Sequence, residues 1–349
     1  MSIYRDSKRI VGTNEDRVVI PAISGGWKEV GRTTLGSAGD NIDITGLPDK
    51  RYYMYLLDRD TSGSTSARMT FNDDSGSNYS TRYASDGTEY TATNQSFVSQ
   101  HTSASQSSFT CGYITNKSDR EKLSASWIVG DGGSGAGNDP SRYEQFWKWT
   151  NTSSAINRMD IFNHLGGDFA SGSELVVLGY DPDDTHTDNF WEELASDEAS
   201  GSVASLESGT ITAKKYLWIQ CYISGTSAST FCETVFNNDT GSNYASRGSQ
   251  NGGTDFTRTS QSDLNMFESY SNTTGAFLNA FIINNSSNEK LVIGYTIQNH
   301  TLGAGTAPIR KKFIGKWSNT SSQITEIDFD NTSTGSYDTN SFIKVWGSN

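Results

Sequence analysis

KKYLWIQCYI, at residues 214–223, alternates side chains in a way that indicates a β-strand. Successive side chains of an extended chain point to opposite faces of a sheet. One face would carry Tyr216, Trp218, Gln220 and Tyr222, and the other would carry Leu217, Ile219, Cys221 and Ile223. This alternation with a period of two is typical of a strand.

Similar segments recur along the chain. They are short and rich in β-branched and aromatic residues, and clusters of Gly, Asn, Asp and Ser separate them. Examples are YYMYLL at 52–57, ELVVLGY at 174–180, FLNAFIIN at 277–284 and LVIGYTI at 291–297. Helical patterning is limited to SRYEQFWKW at 141–149 and FWEELASDEAS at 190–200, each of which could form a turn or two of helix. The sequence therefore predicts an all-β protein.

Two halves of the chain repeat the same segments in the same order. The matched pairs are WKEV 27–30 with WEEL 191–194, KRYYMYLL 50–57 with KKYLWIQC 214–221, FNDDSGSNY 71–79 with FNNDTGSNY 236–244, NKSDREKL 116–123 with NNSSNEKL 284–291, GAGNDPSR 135–142 with GAGTAPIR 303–310, KWTNTSSAI 148–156 with KWSNTSSQI 316–324, and SELVVLG 173–179 with SFIKVWG 341–347. The offset drifts little, as expected for small insertions in surface loops. One domain has been duplicated.

This duplication predicts four parts: an N-terminal arm (1–26), a first copy (27–180), a linker (181–190) and a second copy (191–349). Many short strands joined by long connections are typical of a β-sandwich, so we expect two tandem homologous sandwiches of jelly-roll type. The arm could add a strand to the first sandwich, or it could pair with a sheet edge of a neighbouring subunit.

The phrase FNDDSGSNY and its copy allow two interpretations. Asn, Asp and Gly favour a tight turn, because they tolerate positive φ and bond their own backbone. Alternatively, Asp74 and Asp239 could contribute to calcium loops, although the acidic spacing of a calcium hand is missing.

Composition restricts the function. The formal charge is −13, which argues against coating nucleic acid backbones. The start shows no signal peptide and no stretch has the length of a transmembrane helix, so we expect synthesis in a cytoplasm and no membrane partner. Cys111, Cys221 and Cys232 are odd in number and fit buried thiols, although the last two could face each other across a hairpin.

Motifs for chemistry are scarce. The histidines, His101, His164, His186 and His300, have no zinc-like spacing, and the Gly-rich segment 130–137 lacks the Lys-Ser/Thr of a phosphate loop and predicts a hairpin tip. We therefore predict no enzyme and no cofactor apart from a weakly supported Ca²⁺. Its ligands would come from the linker, namely Asp181, Asp183, Asp184 and Asp188, although a solvated connector explains the same residues.

Tryptophans fall into two groups. Trp27 and Trp191 correspond between the copies, as do Trp149 and Trp317, which is typical of a shared core. The unmatched ones could line subunit interfaces, stack on glycans or pack locally. They are Trp127, Trp147, Trp218 and Trp346.

The repeated phrases resemble β-domains of structural proteins from tailed phages, notably marine ones. The segments that carry this resemblance are KRIVGTNEDR at 8–17, both FN phrases, GAGTAPIRKKFIGKW at 303–317 and SGSELVVLGYDPDDTHTDNFWEELAS at 171–196. The resemblance implies a virion component such as a capsid decoration protein, a head fibre or a tail protein, and it implies no catalytic residues.

The sequence and the resemblance together predict a non-enzymatic viral structural protein, located in the virion, that acts by assembly. Its partners would be other virion proteins and further copies of itself, in a symmetric homo-oligomer for which viral sandwiches suggest a trimer. Two alternatives remain: a major capsid protein of double jelly-roll type, and a carbohydrate-binding or host-adhesion module that recognises a host surface glycan.

Overall fold

The computed structural model describes residues 3–5, 8–11, 26–101, 105–228, 231–267, 275–299 and 301–349. These residues form β-strands and turns without a helix, and every ladder between the strands is antiparallel. The all-β prediction is confirmed.

The strands of the first half and the arm are β1 (Ile3–Arg5), β2 (Lys8–Val11), β3 (Lys28–Thr34), β4 (Asn41–Thr45), β5 (Tyr52–Arg59), β6 (Thr61–Ser62), β7 (Ala67–Phe71), β8 (Tyr79–Ser85), β9 (Thr88–Gln95), β10 (Val98–His101), β11 (Ser108–Thr115), β12 (Lys122–Gly130), β13 (Ser141–Trp149), β14 (Arg158–Asn163), β15 (Asp168–Phe169) and β16 (Glu174–Tyr180). An eight-stranded sheet has the order β3-β16-β5-β11-β12-β13-β8-β9, and a four-stranded sheet has the order β10-β7-β14-β4. Strands β6 and β15 pair with each other.

The strands of the second half are β17 (Glu192–Glu198), β18 (Ser205–Glu207), β19 (Tyr216–Ile223), β20 (Cys232–Phe236), β21 (Tyr244–Gln250), β22 (Phe256–Gln261), β23 (Gly275–Ile283), β24 (Lys290–Asn299), β25 (Ile309–Trp317), β26 (Ile327–Asn331) and β27 (Phe342–Ser348). They form an eight-stranded sheet in the order β17-β27-β19-β23-β24-β25-β21-β22 and a three-stranded sheet in the order β18-β26-β20. The two eight-stranded sheets therefore have the same topology.

The ladders also agree in register. Tyr52 lies opposite Thr115 and Tyr180, and its counterpart Tyr216 lies opposite Ile283 and Ser348. Equivalent positions of the two copies can thus be assigned residue by residue. The domain boundaries stay a prediction.

Three apolar clusters hold the sheets together. One joins the first large sheet to the four-stranded sheet, for example through Tyr53 of β5 and Met69 of β7. A second joins the other large sheet to the three-stranded sheet, for example through Leu217 and Phe329. The third lies between the two large sheets. Each large sheet therefore uses both of its faces.

The strand β5 shows how the sequence produces this arrangement. Tyr53, Tyr55 and Leu57 enter the cluster with the four-stranded sheet, whereas Met54 and Leu56 enter the cluster between the large sheets. A strand buried on both faces carries a nearly continuous apolar run. This explains why YYMYLL lacks the polar alternation of a half-exposed strand.

Both expectations of helical turns were wrong. Residues 141–149 form β13, because Trp147 and Trp149 face the core while Phe146 and Lys148 face the other way, with a period of two. Residues 192–198 form the edge strand β17, which pairs with β27. In the predicted arm, β1 pairs with β2. Whether the arm extends a sheet or contacts a neighbour lies outside the described residues.

Candidate functional site

The duplicated phrase forms the same tight turn twice. Asn72 and Asp73 have φ of 52° and 56°, and Asn237 and Asn238 have the same values. The N–H of Asp74 donates to the carbonyl of Phe71 at 2.9 Å, which closes the turn. Asn and Asp adopt left-handed φ more readily than other non-glycine residues, so the sequence matches the conformation.

The Asp at the end of the turn ties it to the core. Asp74 accepts hydrogen bonds from Trp149 Nε1 at 2.7 Å, from the N–H of Gly76 at 2.9 Å and from Asn78 Nδ2 at 2.9 and 3.0 Å. Partial burial alone would raise the pKa of Asp74, but these hydrogen bonds hold it below its usual value.

Asp239 repeats the arrangement in the second copy. It accepts from Trp317 Nε1 at 2.7 Å, from the N–H of Gly241 at 2.9 Å and from Asn243 Nδ2 at 2.9 and 3.1 Å. These protein donors already engage both carboxylate oxygens. The phrase is therefore a structural turn in both copies.

A tyrosine completes each turn. The Tyr79 hydroxyl accepts from the N–H of Phe71 at 3.0 Å and donates to the carbonyl of Asp74 at 3.0 Å. Tyr244 does the same with Phe236 and Asp239, both at 2.9 Å. Burial raises the pKa of both tyrosines, so each hydroxyl keeps its proton.

The other repeated phrases also hold backbone. Asn116 Oδ1 accepts from the N–H of Ile156 at 2.6 Å, and Asn284 Oδ1 accepts from the N–H of Ile324 at 2.6 Å. Both Asn residues are at most 1% exposed. Lys290 Nζ donates to the carbonyl of Asn319 at 2.7 Å, and burial lowers the pKa of Lys290 to about 8. The residues retained in both copies therefore stabilise each copy internally.

Charged side chains accumulate between the two large sheets. Glu144 Oε1 lies 2.5 Å from Arg142, and Glu144 Oε2 lies 2.5 Å from Lys312 of the other half. Arg142 also contacts Asp255 at 2.5 Å, and the side chains of Arg142, Glu144 and Asp255 are all less than a tenth exposed. Glu144 and Lys312 occupy equivalent positions, so the copies carry opposite charges where they meet.

A second ionic group lies at another edge of this interface. Lys215 approaches Asp58 at 3.0 Å and Glu174 at 3.2 Å, and the Tyr216 hydroxyl donates to Glu174 at 2.8 Å. Burial raises the pKa of Asp58 to about 6, although Lys215 opposes the shift. Burial would also raise the pKa of Glu174, but its partners Thr34, Lys215, Tyr216 and Arg32 lower it.

The Gly-rich segment also belongs to this interface. It connects β12 to β13, as a hairpin requires. Lys316 of the second half donates to the carbonyls of Asp131 at 2.8 Å and Gly133 at 2.6 Å, and the N–H of Gly135 donates to Glu289 at 2.5 Å. The segment connects the two halves through its backbone.

Three of the four predicted calcium ligands of the linker lie beside basic side chains of the protein. Asp184 pairs with Lys50, Asp181 lies 3.6 Å from Arg51, and Asp188 lies 2.7 Å from Lys28. Asp183 is exposed. Within the described ranges, no group of three or more His, Cys, Asp or Glu side chains is placed to hold a metal ion.

The four unmatched tryptophans occupy different environments. Trp147 is 3% exposed and stacks on Phe71 at 5.0 Å, which places it in the core. Trp127 contacts its own equivalent, Tyr295, at 5.2 Å between the halves. Trp218 and Trp346 stack on each other at 4.6 Å and are partly exposed, so they remain open to an interface or a glycan.

The remaining sequence candidates have simpler positions. Cys111, Cys221 and Cys232 are free thiols, and burial raises the pKa of each. His300 and the side chain of His101 lie outside the described residues. No helix in the described part of the chain is long and apolar enough to cross a bilayer.

Sequence reasoning missed an apolar surface on the first large sheet, which we call the Leu123 patch. It consists of Tyr52, Tyr113, Leu123, Ala125 and Phe146. Leu123 is 54% exposed, Phe146 50% and Tyr52 37%. All of these residues except Phe146 line a groove of about 550 Å³, and Trp27 and Tyr180 also line it. The signal was present in the alternation of Leu123, Ala125, Trp127 and Val129 along β12.

A second, partly exposed surface lies on the other large sheet, beside the cluster between the large sheets against which its Trp218 packs, and we call it the Trp346 patch. It consists of Trp218, Phe277, Ile297 and Trp346, with Gln220, Asn279 and Lys344 among them. Ile297 is 48% exposed. Aromatic residues with few charges are the composition found at the centre of protein interfaces.

Comparisons with known proteins give no relative. No protein family and no curated protein matches the chain. Among solved structures, Ail, the attachment invasion locus protein of Yersinia pestis, has a TM-score of 0.14 at 6% identity, covering 77% of this chain and 97% of that chain. Neisserial surface protein A has a TM-score of 0.10 at 7% identity, covering 80% and 96%. Peptide:N-glycanase F has a TM-score of 0.17 at 8% identity, covering 93% and 96%. Similarity at this level carries no inference about fold or function.

Proposed function

We propose that the chain is a non-enzymatic structural protein of a phage virion, such as a capsid decoration, head fibre or tail component, and that it acts by assembly. The observation that carries this proposal is the Leu123 patch. Solvent-facing sides of antiparallel sheets normally carry polar residues, and a large contiguous apolar area usually marks an interaction site. The phage assignment itself rests on the resemblance of the repeated phrases.

The proposed architecture is a tandem of two jelly-roll-like sandwiches. Each large sheet shares one apolar cluster with a smaller sheet of its own half, which supports a sandwich in each copy. The third cluster then joins the two sandwiches through their large sheets. This leaves parts of the large sheets free to contact other subunits.

The uses of the repeated polar residues support a structural role. Asp74, Asn116 and their counterparts Asp239 and Asn284 bind backbone and indole groups of the same chain. Such residues stabilise a scaffold. A protein that acts by assembly needs a stable scaffold and an exposed apolar surface for contact, and these turns and the Leu123 patch would supply them.

Copy counting by mass spectrometry of purified phage particles tests the proposal. We expect the protein in the particles at a copy number that matches a symmetric component of the head or tail. Its absence from particles that are otherwise complete would refute the virion role.

Adhesion to host glycans remains a second candidate, because Trp218 and Trp346 form a partly exposed aromatic stack. Flat aromatic surfaces stack on sugar rings, and Asn279 and Gln220 beside them could bond hydroxyls. A glycan array separates the candidates: binding that is lost in Trp346→Ala favours adhesion, whereas an array without binding favours assembly.

A further inference from the structure

We infer that this chain associates head to tail with a second copy of itself, by docking its Leu123 patch onto the Trp346 patch of the second copy. The inference rests on the proposed assembly function and names the contact. It follows from which residues the two copies bury against each other within one chain.

The contact between the two halves is not symmetric. The first copy buries Met54, Leu56, Phe109, Cys111, Val129, Val176 and Leu178 in it. The second copy buries Tyr216, Phe281, Ile283, Leu291, Ile293 and Ile314, and only Phe281 among these has an equivalent, Tyr113, in the same cluster. Three further equivalent pairs contribute on both sides, namely Trp27 and Trp191, Met54 and Trp218, and Trp127 and Tyr295. A two-fold contact would bury the same positions on both partners throughout, so this contact is heterologous outside those shared positions.

Each buried area therefore has an uncovered equivalent on the other copy. In the ladders, Leu123 is equivalent to Leu291, and Phe146 is equivalent to Ile314. The Leu123 patch is thus the first copy's version of an area that the second copy buries. In the same way, Trp218 is equivalent to Met54, and Ile297 is equivalent to Val129. Met54 and Val129 belong to the area of the first copy that covers the second copy, so the Trp346 patch is the second copy's version of that area.

The Leu123 patch keeps its apolar character although the chain leaves it exposed, whereas the Trp346 patch carries Gln220, Asn279 and Lys344 where the covering area has Leu56, Cys111 and Val176. Tyr52, Leu123 and Phe146 remain apolar at the positions where their equivalents are buried, although Thr115 replaces Ile283 at the margin. Exposed apolar side chains on a sheet face favour association. Because an equivalent area is already covered by a copy of this domain, the fitting partner is another copy of this domain.

The Leu123 patch is also continuous with the existing contact. Tyr113 packs on Trp127 at 6.2 Å, and Trp127 packs on Tyr295 of the second half at 5.2 Å. A docked chain would extend this aromatic row. The Trp346 patch reaches the same contact through Trp218 and Phe281, which stack at 5.8 Å.

At the edge of the proposed contact, the residues equivalent to the ion pairs of the contact within the chain are a cation and two aromatic rings. Lys215 inserts between Asp58 and Glu174, and its equivalent beside the Leu123 patch is Arg51. The equivalents of the two acids beside the Trp346 patch are Tyr222 and Phe342, whose rings lie 5.6 Å apart. A guanidinium over aromatic rings is a favourable pair, so the contact would replace ion pairs with cation–π contacts.

Sedimentation velocity on the full-length chain, with complementation between two variants, tests the inference. Leu123→Lys disables one patch and Ile297→Lys the other, both at half-exposed positions that should tolerate lysine. We expect the unmodified chain to form oligomers that grow with concentration. Each variant alone should associate at least about tenfold more weakly. An equimolar mixture should form heterodimers, because it retains one intact pair of patches.

The controls are Leu165→Lys and Phe231→Lys, which change equally exposed apolar residues outside both patches and should associate like the unmodified chain. Oligomers that neither patch variant weakens would overturn the inference, as would a chain that stays monomeric at all concentrations. Self-association of Ile297→Lys that matches the unmodified chain would indicate a contact between two Leu123 patches and would also overturn it. None of these results bears on particle copy number, so the proposed virion role would stand or fall separately.

Discussion

The turn built by Asp239 offers the sharpest test of how the repeated phrase works. We predict that Asp239→Ala lowers the free energy of unfolding by about 2–4 kcal/mol at neutral pH. Trp317 is 1% exposed, so its indole N–H loses a charged partner at a position that the chain largely shields from water. An unsatisfied buried donor costs about 1–3 kcal/mol, and the lost bonds from Gly241 and Asn243 at the surface add about 1 kcal/mol.

The effect should depend on pH in a defined direction. Burial would raise the pKa of Asp239, but the hydrogen bonds from Trp317, Gly241 and Asn243 lower it below the unfolded value. A carboxylate whose pKa is depressed by folding contributes stability above its unfolded pKa of about 3.9, and the contribution is lost as pH falls through the folded pKa. The difference between the unmodified chain and Asp239→Ala should therefore be largest near neutral pH and shrink under acidic conditions.

Urea unfolding, followed by tryptophan fluorescence at neutral and acidic pH, measures this difference. Asp197→Ala is the matched control, since Asp197 is exposed and has no hydrogen-bonding or ionic partner among the described residues. A double-mutant cycle with Trp317→Phe isolates the indole bond. Coupling near zero would refute our account of the turn. A rise in melting temperature with calcium that disappears in Asp239→Ala would also refute it, and would favour an ion site instead.

Three further predictions follow from other contacts. Asn284→Ala should lower the free energy of unfolding by about 2–3 kcal/mol in the same denaturation assay, because it leaves the buried N–H of Ile324 unpaired; an unchanged free energy would contradict this role. Glu144→Lys should destabilise the contact between the halves by about 3–5 kcal/mol, and the double variant with Lys312→Glu should recover part of that loss; no recovery would contradict the pairing. Burial, reinforced by Glu326, Asp330 and Glu207, raises the pKa of Asp328 to about 7, so the chain loses stability as pH rises from about 4 to 7. Asp328→Asn should raise the melting temperature at pH 8 and leave it unchanged at pH 4, and equal shifts at both would refute the titration.

Local alternation and the repeated phrases were enough to predict the strand class and the duplication. The alternation predicted for 216–223 is present in β19, and the structure adds that Leu217, Ile219, Cys221 and Ile223 are the side chains buried in one cluster. The same reasoning failed for residues 141–149, because Arg, Glu, Gln and Lys obscured the alternation that Trp147 and Trp149 follow. Of these residues, Arg142 and Glu144 are buried against Asp255 and Lys312 of the other half, a cause that no local pattern contains.

The candidate site was harder for the same reason. Tryptophan is conspicuous in a sequence, yet Trp147 lies in the core, and the exposed apolar surface is marked by Leu123 and Phe146. Exposure depends on which half of a sheet face the other copy covers. That depends on how two large sheets cross, which arises from side chains distant in sequence, such as Glu144 and Lys312.

The two copies differ at charged positions where they meet, and this explains why a duplicated domain need not form a symmetric pair. Asp58 and Glu174 of the first copy are replaced by Tyr222 and Phe342 in the second, so only the first copy can receive Lys215 as an ion partner. Glu144 and Lys312 attract each other, whereas two identical copies would place like charges together at that point. These differences favour the contact between unlike copies and disfavour a contact between like ones. Because the contact between unlike copies covers only part of each large sheet's face, the rest of each face stays exposed. Those exposed parts, the Leu123 patch and the Trp346 patch, are the surfaces that we propose for assembly.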